Sequence, residues 1–121
     1  IMVEIDSNRF RQVLHNLLKN SIEASEEKGL AVDIVLSYHP VRHHQQQWLE
    51  ITIDDHGPGI PVNMVNKLFE PYVTNKIKGT GLGLAIVKKI IDEHGGKVWA
   101  KNLESNGASI IMRLPLEEDK V

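Results

Sequence analysis

Hydrophobic residues recur at helical spacing near the start of the chain. After Asp6 and Ser7, either of which can cap a helix, apolar positions follow one another at intervals of three and four residues, which places them on one face. These positions are Phe10, Val13, Leu14, Leu17, Leu18 and Ile22. We therefore predict an amphipathic helix that ends near Gly29.

A second helical pattern covers residues 81–94 and is followed by Gly95 and Gly96, a typical C-terminal signal. Its predicted inward positions are Ile86, Val87, Ile90 and Ile91. Residues 62–69 are compatible with a short helix. Residues 70–78 offer little to bury, so we predict a mobile loop there.

Five runs rich in β-forming residues predict strands. They cover residues 2–5, 31–37, 49–54, 97–102 and 109–115. Residues 38–48 are polar and contain one proline, which favours a connector that joins the second and third strands as a hairpin.

Composition narrows the picture further. A chain of 121 residues that is 41% hydrophobic suits one compact domain. The net charge of −2 and the lack of a basic stripe argue against a nucleic-acid partner. There are no cysteines, which excludes disulfides and thiol catalysis, and no apolar run is long enough to span a bilayer. The chain begins within a strand-like stretch, so we expect it to be part of a longer protein.

Two glycine-rich segments indicate a nucleotide pocket. Residues 55–61, DHGPGIP, follow the run at 49–54 and combine a lone carboxylate with glycines that allow a flat ligand to come close. Residues 78–86, KGTGLGLAI, lead directly into the second helical pattern. Free backbone N–H groups and the positive end of a helix dipole would face an anion there, as in phosphate sites.

Asn16 and Asn20 lie four residues apart, on one face of the first helix and at the border of its apolar stripe. A half-buried amide needs a partner. The two side chains either bond to nearby backbone groups or bind a polar ligand above them, and the glycine segments favour the ligand. An amide oxygen is a suitable ligand for Mg²⁺.

Four segments in order resemble the N, first glycine, F and second glycine boxes of the histidine kinase catalytic ATP-binding domain, a member of the GHKL or Bergerat group. They are residues 16–20 (NLLKN), 55–59 (DHGPG), 68–71 (LFEP) and 79–84 (GTGLGL). The resemblance covers nearly the whole chain. Residues 69–74 (FEPYVT), with Lys76 and residues 78–81, are most similar to NtrY-type nitrogen-regulation sensor kinases.

The fold implied by this resemblance is an α/β (α+β) two-layer sandwich, with a mixed five-stranded sheet and helices packed on one face. Residues 1–116 would form the catalytic domain and residues 117–121 a solvated tail. Gly107-Ala108-Ser109-Ile110 stands where the family often has Gly-Thr-x-Phe. Hydroxyl and aromatic contacts at that place are therefore in question.

The resemblance also implies roles for individual residues. Asn20 would hold Mg²⁺ that bridges the ATP phosphates, and Asn16 would line the same polar edge. Asp55 would accept a hydrogen bond from the exocyclic amine of adenine, with Gly57 and Gly59 beneath the base. The remaining implied ATP contacts are Ile60 and Leu84 as walls, Gly79, Thr80, Gly81, Leu82 and Gly83 around the phosphates, and Lys76 at the terminal phosphate. Asn16, Asn20 and Lys76 form the implied catalytic set.

The implied activity is transfer of the ATP γ-phosphoryl group to a histidine on a dimerisation domain that this chain lacks, and then to a response regulator. None of the six histidines lies in a phospho-acceptor context. The intact protein would be a homodimer with this domain in the cytoplasm, and its parent could be anchored in the bacterial inner membrane.

Two alternatives stay open. One is an ATP hydrolase of the same fold, as in gyrase, Hsp90-like and MutL-like proteins, but this class needs a carboxylate where the chain has Asn16, since an amide cannot take a proton. The other is a non-catalytic nucleotide-sensing module, which the atypical last glycine box leaves possible. His39, His43 and His44 could suggest a metal site, but a polar loop explains them better.

Overall fold

The computed structural model describes residues 6–71, 83–104 and 106–116 as a two-layer α/β sandwich. In chain order the elements are α1 (Ser7–Glu27), β1 (Ile34–His43), β2 (Gln46–Asp55), a 3₁₀ turn (Val65–Lys67), α2 (Gly83–Glu93), β3 (Lys97–Asn102) and β4 (Ala108–Pro115). The strands form one sheet in the order β1-β2-β4-β3.

The sheet corrects the predicted fold. Its described part has four strands and every neighbouring pair is antiparallel, whereas the family resemblance implies a mixed sheet of five. β1–β2 and β3–β4 are consecutive along the chain, which makes antiparallel pairing the natural arrangement. The predicted strand over residues 2–5 lies outside the described residues.

One hydrophobic core joins the two layers. Its buried members come from α1, α2 and one face of β2 and β4, and they include Val13, Leu17, Ile51, Ile53, Val87, Ile90, Ile91, Ile110, Met112 and Leu114. Alternate residues of β2 and β4 contribute to it, as expected when helices cover one face of a sheet. The helical layer of the sandwich therefore rests on the two central strands.

The N-terminus of α1 and the C-termini of both helices agree with the predictions. The Asp6 carboxylate caps α1 by accepting hydrogen bonds from the N–H groups of Asn8 and Arg9 at 2.9 and 3.2 Å. At the C-terminus of α1, the Leu30 N–H donates to the Ser25 carbonyl at 2.9 Å. At the end of α2, the Gly96 N–H donates to the Ile91 carbonyl at 2.9 Å. These bonds are the closing contacts of Schellman motifs.

Two apolar residues predicted to face inward are exposed instead. Ile22 is 36% exposed and Ile86 is 37% exposed. A helix turns by about 100° per residue, so the buried line of α1 runs from Leu17 to Ser21 and Ser25 and leaves Ile22 to one side. The sequence pattern hides this because the helix continues its buried stripe with serines.

The predicted hairpin is present, but the prediction of a polar connector over residues 38–48 is wrong. β1 and β2 extend through most of residues 38–48 and leave a turn at His44 and Gln45, both in the left-handed region with φ of 50° and 66°. Such a turn matches the twist of a hairpin. Pro40 lies in β1, which is at one edge of the described sheet, and edge strands are where proline is tolerated. Exposed polar strands at a sheet edge resemble a loop in sequence.

The remaining boundaries shift slightly. β3 has the predicted bounds and β4 starts one residue early at Ala108. The short helix expected over residues 62–69 is reduced to the 3₁₀ turn at Val65–Lys67. Neither helix in the described part of the chain has the length and apolar character needed to cross a membrane.

Gly96→Ala should destabilise the fold by about 2–3 kcal/mol, because the added Cβ would overlap with backbone atoms that cannot easily move. An added Cβ would lie 2.4 Å from the Arg113 carbonyl oxygen and 2.9 Å from Ile91 Cγ2. Gly29→Ala is the matched control: its Cβ would meet nothing within 4 Å, and only its φ of 68° opposes the change, at about 1 kcal/mol. Urea unfolding measures both variants, and equal losses would contradict the steric argument.

Candidate functional site

A cavity of about 340 Å³ lies between α1, the sheet and the loop after β2. Its lining residues in the described chain are Asn20, Ser21, Ala24, Glu27, Lys28, Asp55, Pro58, Gly59, Ile60, Pro61, Met64, Leu68, Leu84, Ala108 and Ile110. α1 supplies one wall over two helical turns, while β2 and β4 supply the floor. Small-molecule sites are typically concave, largely apolar and of this size, with a few polar groups that fix orientation.

Asp55 is the acidic side chain buried at the floor of the cavity, and it is only 7% exposed. It is the last residue of β2, and its side chain falls on the core-facing side. Its Oδ1 accepts a hydrogen bond from the Gly57 N–H at 3.1 Å, and its Oδ2 accepts one from the Ser21 hydroxyl at 3.2 Å. A buried carboxylate needs such donors, and one donor on each oxygen restricts its orientation.

Asn102, at the end of β3, holds the loop that follows Asp55. Its Oδ1 accepts from the Ile60 N–H at 2.7 Å, and its Nδ2 donates to the Ile60 carbonyl at 2.9 Å. The side-chain amide thus satisfies both backbone groups of one residue, as a neighbouring strand would. Gly59 packs against the same amide, since a Cβ there would lie 3.0 Å from Asn102 Oδ1.

Gly107 allows the start of β4 to approach the end of β2. Its φ is 110°, and an added Cβ would lie 1.9 Å from the Asp55 carbonyl oxygen. No other residue type fits this position without moving the backbone. The next residue, Ala108, pairs with Asp55 in the sheet and is buried, so the strand presents a methyl group beside the carboxylate.

Asn20 lines the cavity and is half-buried. Asn16, one turn earlier and also half-buried, donates a hydrogen bond from Nδ2 to the Gly83 carbonyl at 3.4 Å. Gly83 is the first residue of α2, and Leu84 beside it lines the cavity. Asn16 therefore ties α1 to the beginning of α2, and Asn20 lies on the cavity side of that junction.

Of the other predicted site residues, Gly57 lies behind the carboxylate. A Cβ there would come 2.7 Å from Ser25 Oγ, so this glycine lets the loop pack on α1. The predicted phosphate contacts Lys76, Gly79, Thr80, Gly81 and Leu82 lie outside the described residues, as does the predicted mobile loop beyond Pro71.

Sequence reasoning missed Ser21, Asn102 and the close contact made by Gly107. For Ser21 a signal was present: a serine continues the line of Val13 and Leu17 on the buried face, where a hydroxyl needs a partner. Asn102 had no comparable signal, since its bond to Ile60 spans 42 residues of sequence. Met64 and Lys28 also line the cavity without a motif to mark them.

The histidines of the hairpin lie far from this cavity. His43 is at the turn end of β1, whereas the opposite end, Ile34, pairs with Asp55. The His43 and His44 rings meet edge to face with centroids 4.1 Å apart, and the charge of His44 is the main cause that lowers the pKa of His43. Across the described ranges, no group of three or more His, Asp or Glu side chains is arranged to hold a metal.

The sequence matches one protein family over residues 5–118, described as histidine kinase-, DNA gyrase B- and HSP90-like ATPases. Among curated proteins, the sensor histidine kinase WalK of Bacillus subtilis is 35% identical across 99% of this chain and 20% of its own length. An NtrY-like sensor histidine kinase of Rickettsia bellii is 41% identical across 96% of the chain and 18% of its own length. The chain thus spans about a fifth of these relatives.

Solved histidine kinase structures also superpose on this chain. The mycobacterial sensor histidine kinase MprB superposes with a TM-score of 0.77 at 28% identity, over 91% of this chain and 72% of that one. The catalytic domain of the histidine kinase ThkA, in a nucleotide-free form, gives 0.71 at 39% identity over 93% and 71%. Full-length ShkA in complex with AMPPNP gives 0.74 at 28% identity over 94% and 23%.

Asn102→Ala should release the loop at Ile60, because two backbone groups lose their partners. We expect the Ile60 amide to exchange with solvent about tenfold faster or more, measured by hydrogen exchange with NMR detection. Asn102→Asp keeps the acceptor for the Ile60 N–H, so that amide should stay better protected than in the alanine variant. Exposed Asn106 offers a nearby control as Asn106→Ala. Unchanged Ile60 exchange in Asn102→Ala would contradict the assigned contact.

Proposed function

The chain belongs to the family of histidine kinase-, DNA gyrase B- and HSP90-like ATPases, as the catalytic ATP-binding domain of a sensor histidine kinase, and we propose that its cavity binds MgATP for phosphoryl transfer to a histidine. The observation that carries the proposal is the buried Asp55 carboxylate at the cavity floor, held by donors on both oxygens. The acceptor histidine would lie on a dimerisation domain, and the phosphoryl group would then pass to a response regulator.

The Asp55 carboxylate would select the base. A carboxylate accepts hydrogen bonds and donates none when ionised. Adenine offers an exocyclic amine, whereas guanine presents a carbonyl at the corresponding position, which would face the negative charge. Ile60, Met64 and Leu84 line the same cavity and would supply apolar contacts to the faces of the ring.

Asn20 would hold Mg²⁺. Its amide is half-buried in the cavity wall, next to the helix junction that Asn16 makes with Gly83. An amide oxygen suits this hard cation, so the residue fits the ion. Mg²⁺ bound there would offset phosphate charge. The start of α2 described at Gly83 would favour the phosphates through backbone N–H groups, and Lys76 with Gly79 to Gly83 would complete the phosphate contacts.

Kinase activity is favoured over hydrolysis by Asn16. A hydrolase of this fold needs a base to activate water, and the Asn16 amide cannot accept a proton. Instead its Nδ2 group donates to the Gly83 carbonyl. The domain would thus position the γ-phosphoryl group for a nucleophile from outside the chain. We propose that this nucleophile is a histidine of a dimerisation domain in a homodimeric parent, with the catalytic domain in the cytoplasm.

A role in nitrogen regulation is a finer proposal. The NtrY-like relative is 41% identical to the chain, and the segment FEPYVT at residues 69–74 is the sequence feature that favours this subgroup. WalK proteins match at 35–37% identity. We also propose that the parent protein is anchored in a membrane.

Asp55→Ala should weaken ATP binding about ten- to a hundredfold, since it removes a hydrogen bond to a buried charge. The wild-type chain should bind ATP and ADP in preference to GTP. Asp54→Ala is the matched control because adjacent strand residues face opposite sides of the sheet. Calorimetric titration in the presence of Mg²⁺ measures all of these affinities. Equal binding of GTP, or unchanged ATP binding in Asp55→Ala, would refute the assignment.

Purified chain mixed with γ-labelled ATP should release phosphate negligibly and should label a separately prepared dimerisation domain on histidine. Asn20→Asp should reduce this labelling, because a misplaced metal misplaces the phosphoryl group. The readouts are phosphate release and acid-labile phosphohistidine. Asn16→Glu, which introduces a carboxylate at that position, tests whether hydrolysis then rises. Sustained phosphate release by the wild-type chain without phosphohistidine would favour the hydrolase instead.

A further inference from the structure

We propose that Ser21 is a specificity-determining residue of the nucleotide site, because its hydroxyl orients the Asp55 carboxylate from the α1 side of the cavity. The inference rests on the proposed role of Asp55 in adenine recognition. Ser21 is 3% exposed, and it lies next to Asn20 in the cavity wall. It would act on the base through Asp55 as a positioning residue.

The hydroxyl is committed to the carboxylate. Ser21 Oγ lies 3.2 Å from Asp55 Oδ2, and both residues are buried. A buried hydroxyl without a partner is costly, and an ionised carboxylate is the strongest acceptor it can find. Since an ionised carboxylate can only accept, the Ser21 hydroxyl is the donor of this bond. The contact links α1 to the end of β2 at the cavity floor.

The strand side supplies no equivalent hydroxyl. Ala108 is the residue paired with Asp55 across β2 and β4, and it lines the cavity with a methyl group. The next residue, Ser109, faces the opposite side of the sheet because successive strand residues alternate. Within the described ranges, the hydrogen bonds to the carboxylate come from the Gly57 N–H and from Ser21.

Two donors, one on each oxygen, fix the plane of the carboxylate. The terminal torsion of an aspartate side chain is broad when it is unrestrained, so a carboxylate held by Gly57 alone would sample several orientations. Each oxygen can accept a second bond, so the carboxylate keeps acceptor capacity for a ligand amine. Orienting the acceptor before the ligand arrives lowers the cost of binding. Ser21 would therefore raise affinity for adenine nucleotides selectively.

Ser25 provides a matched control on the same helix. It follows Ser21 by four residues on the buried face of α1 and is 1% exposed. Its Oγ makes no hydrogen bond within the described part of the chain. Ser25→Ala removes the same atom from the same helix face without touching the carboxylate. It should leave ATP affinity unchanged.

The test is calorimetric titration of the chain with MgATP and MgGTP. Ser21→Ala should weaken ATP binding about three- to tenfold and leave the weak binding of GTP unchanged. Ala108→Ser should restore affinity in the Ser21→Ala background, because directly opposed Cβ atoms lie close enough for the new hydroxyl to reach the carboxylate. Ser21→Ala added to Asp55→Ala should have no further effect, as expected when one residue acts through the other.

Thermal unfolding of each variant separates recognition from stability. Restored ATP affinity in Ser21→Ala/Ala108→Ser without a restored unfolding midpoint supports the proposal even if Ser21→Ala is less stable. Wild-type ATP affinity in Ser21→Ala, or an equal loss in Ser25→Ala, overturns it. If Asp55→Ala itself binds ATP normally, the proposed function fails. If Asp55→Ala loses ATP while Ser21→Ala does not, only this inference fails.

Discussion

Burial of one carboxylate is the constraint on which the site depends. Asp55 occupies a core-facing position at the end of a central strand, where an apolar residue would otherwise belong. An ionised group in that place is tolerated only with donors close to both oxygens. The fold supplies them from two directions, the backbone of Gly57 and the hydroxyl of Ser21. The need for donors to the Asp55 carboxylate therefore constrains both the loop that contains Gly57 and helix α1.

Close backbone packing then brings the remaining walls together. Gly107 lets the start of β4 lie against the Asp55 carbonyl, and Gly57 lets the loop lie against Ser25 of α1. Asn102 pins the same loop from the end of β3. These contacts connect the cavity floor, the loop after β2 and the α1 wall, and they leave no space for a side chain at Gly57 or Gly107. A rigid frame of this kind suits recognition of a flat ring.

Much of this arrangement is predictable from the sequence, and the exceptions have physical causes. Both helices, their caps and the strand before Asp55 follow from periodicity and from local signals such as Asp6 and Gly29. The burial of Ser21 in place of Ile22 and the length of the β1–β2 hairpin do not, because serine in a core and polar residues on an edge strand both contradict simple patterning. The bond between Asn102 and Ile60 joins positions that are distant in sequence, and no local pattern encodes it.

The first helix explains how one element can serve both ends of the proposed ligand. Asn16 bonds to the first residue of α2, Asn20 lines the cavity one turn later, and Ser21 bonds to the carboxylate at the cavity floor. The rise per residue of an α-helix is about 1.5 Å, so the distances between these three groups are set by the helix itself. Tilting α1 to improve one contact would disturb the other two. In the proposed function, selection of the base and placement of the phosphates would therefore be coupled through a single helix, which gives a physical reason for the short spacing of these polar residues.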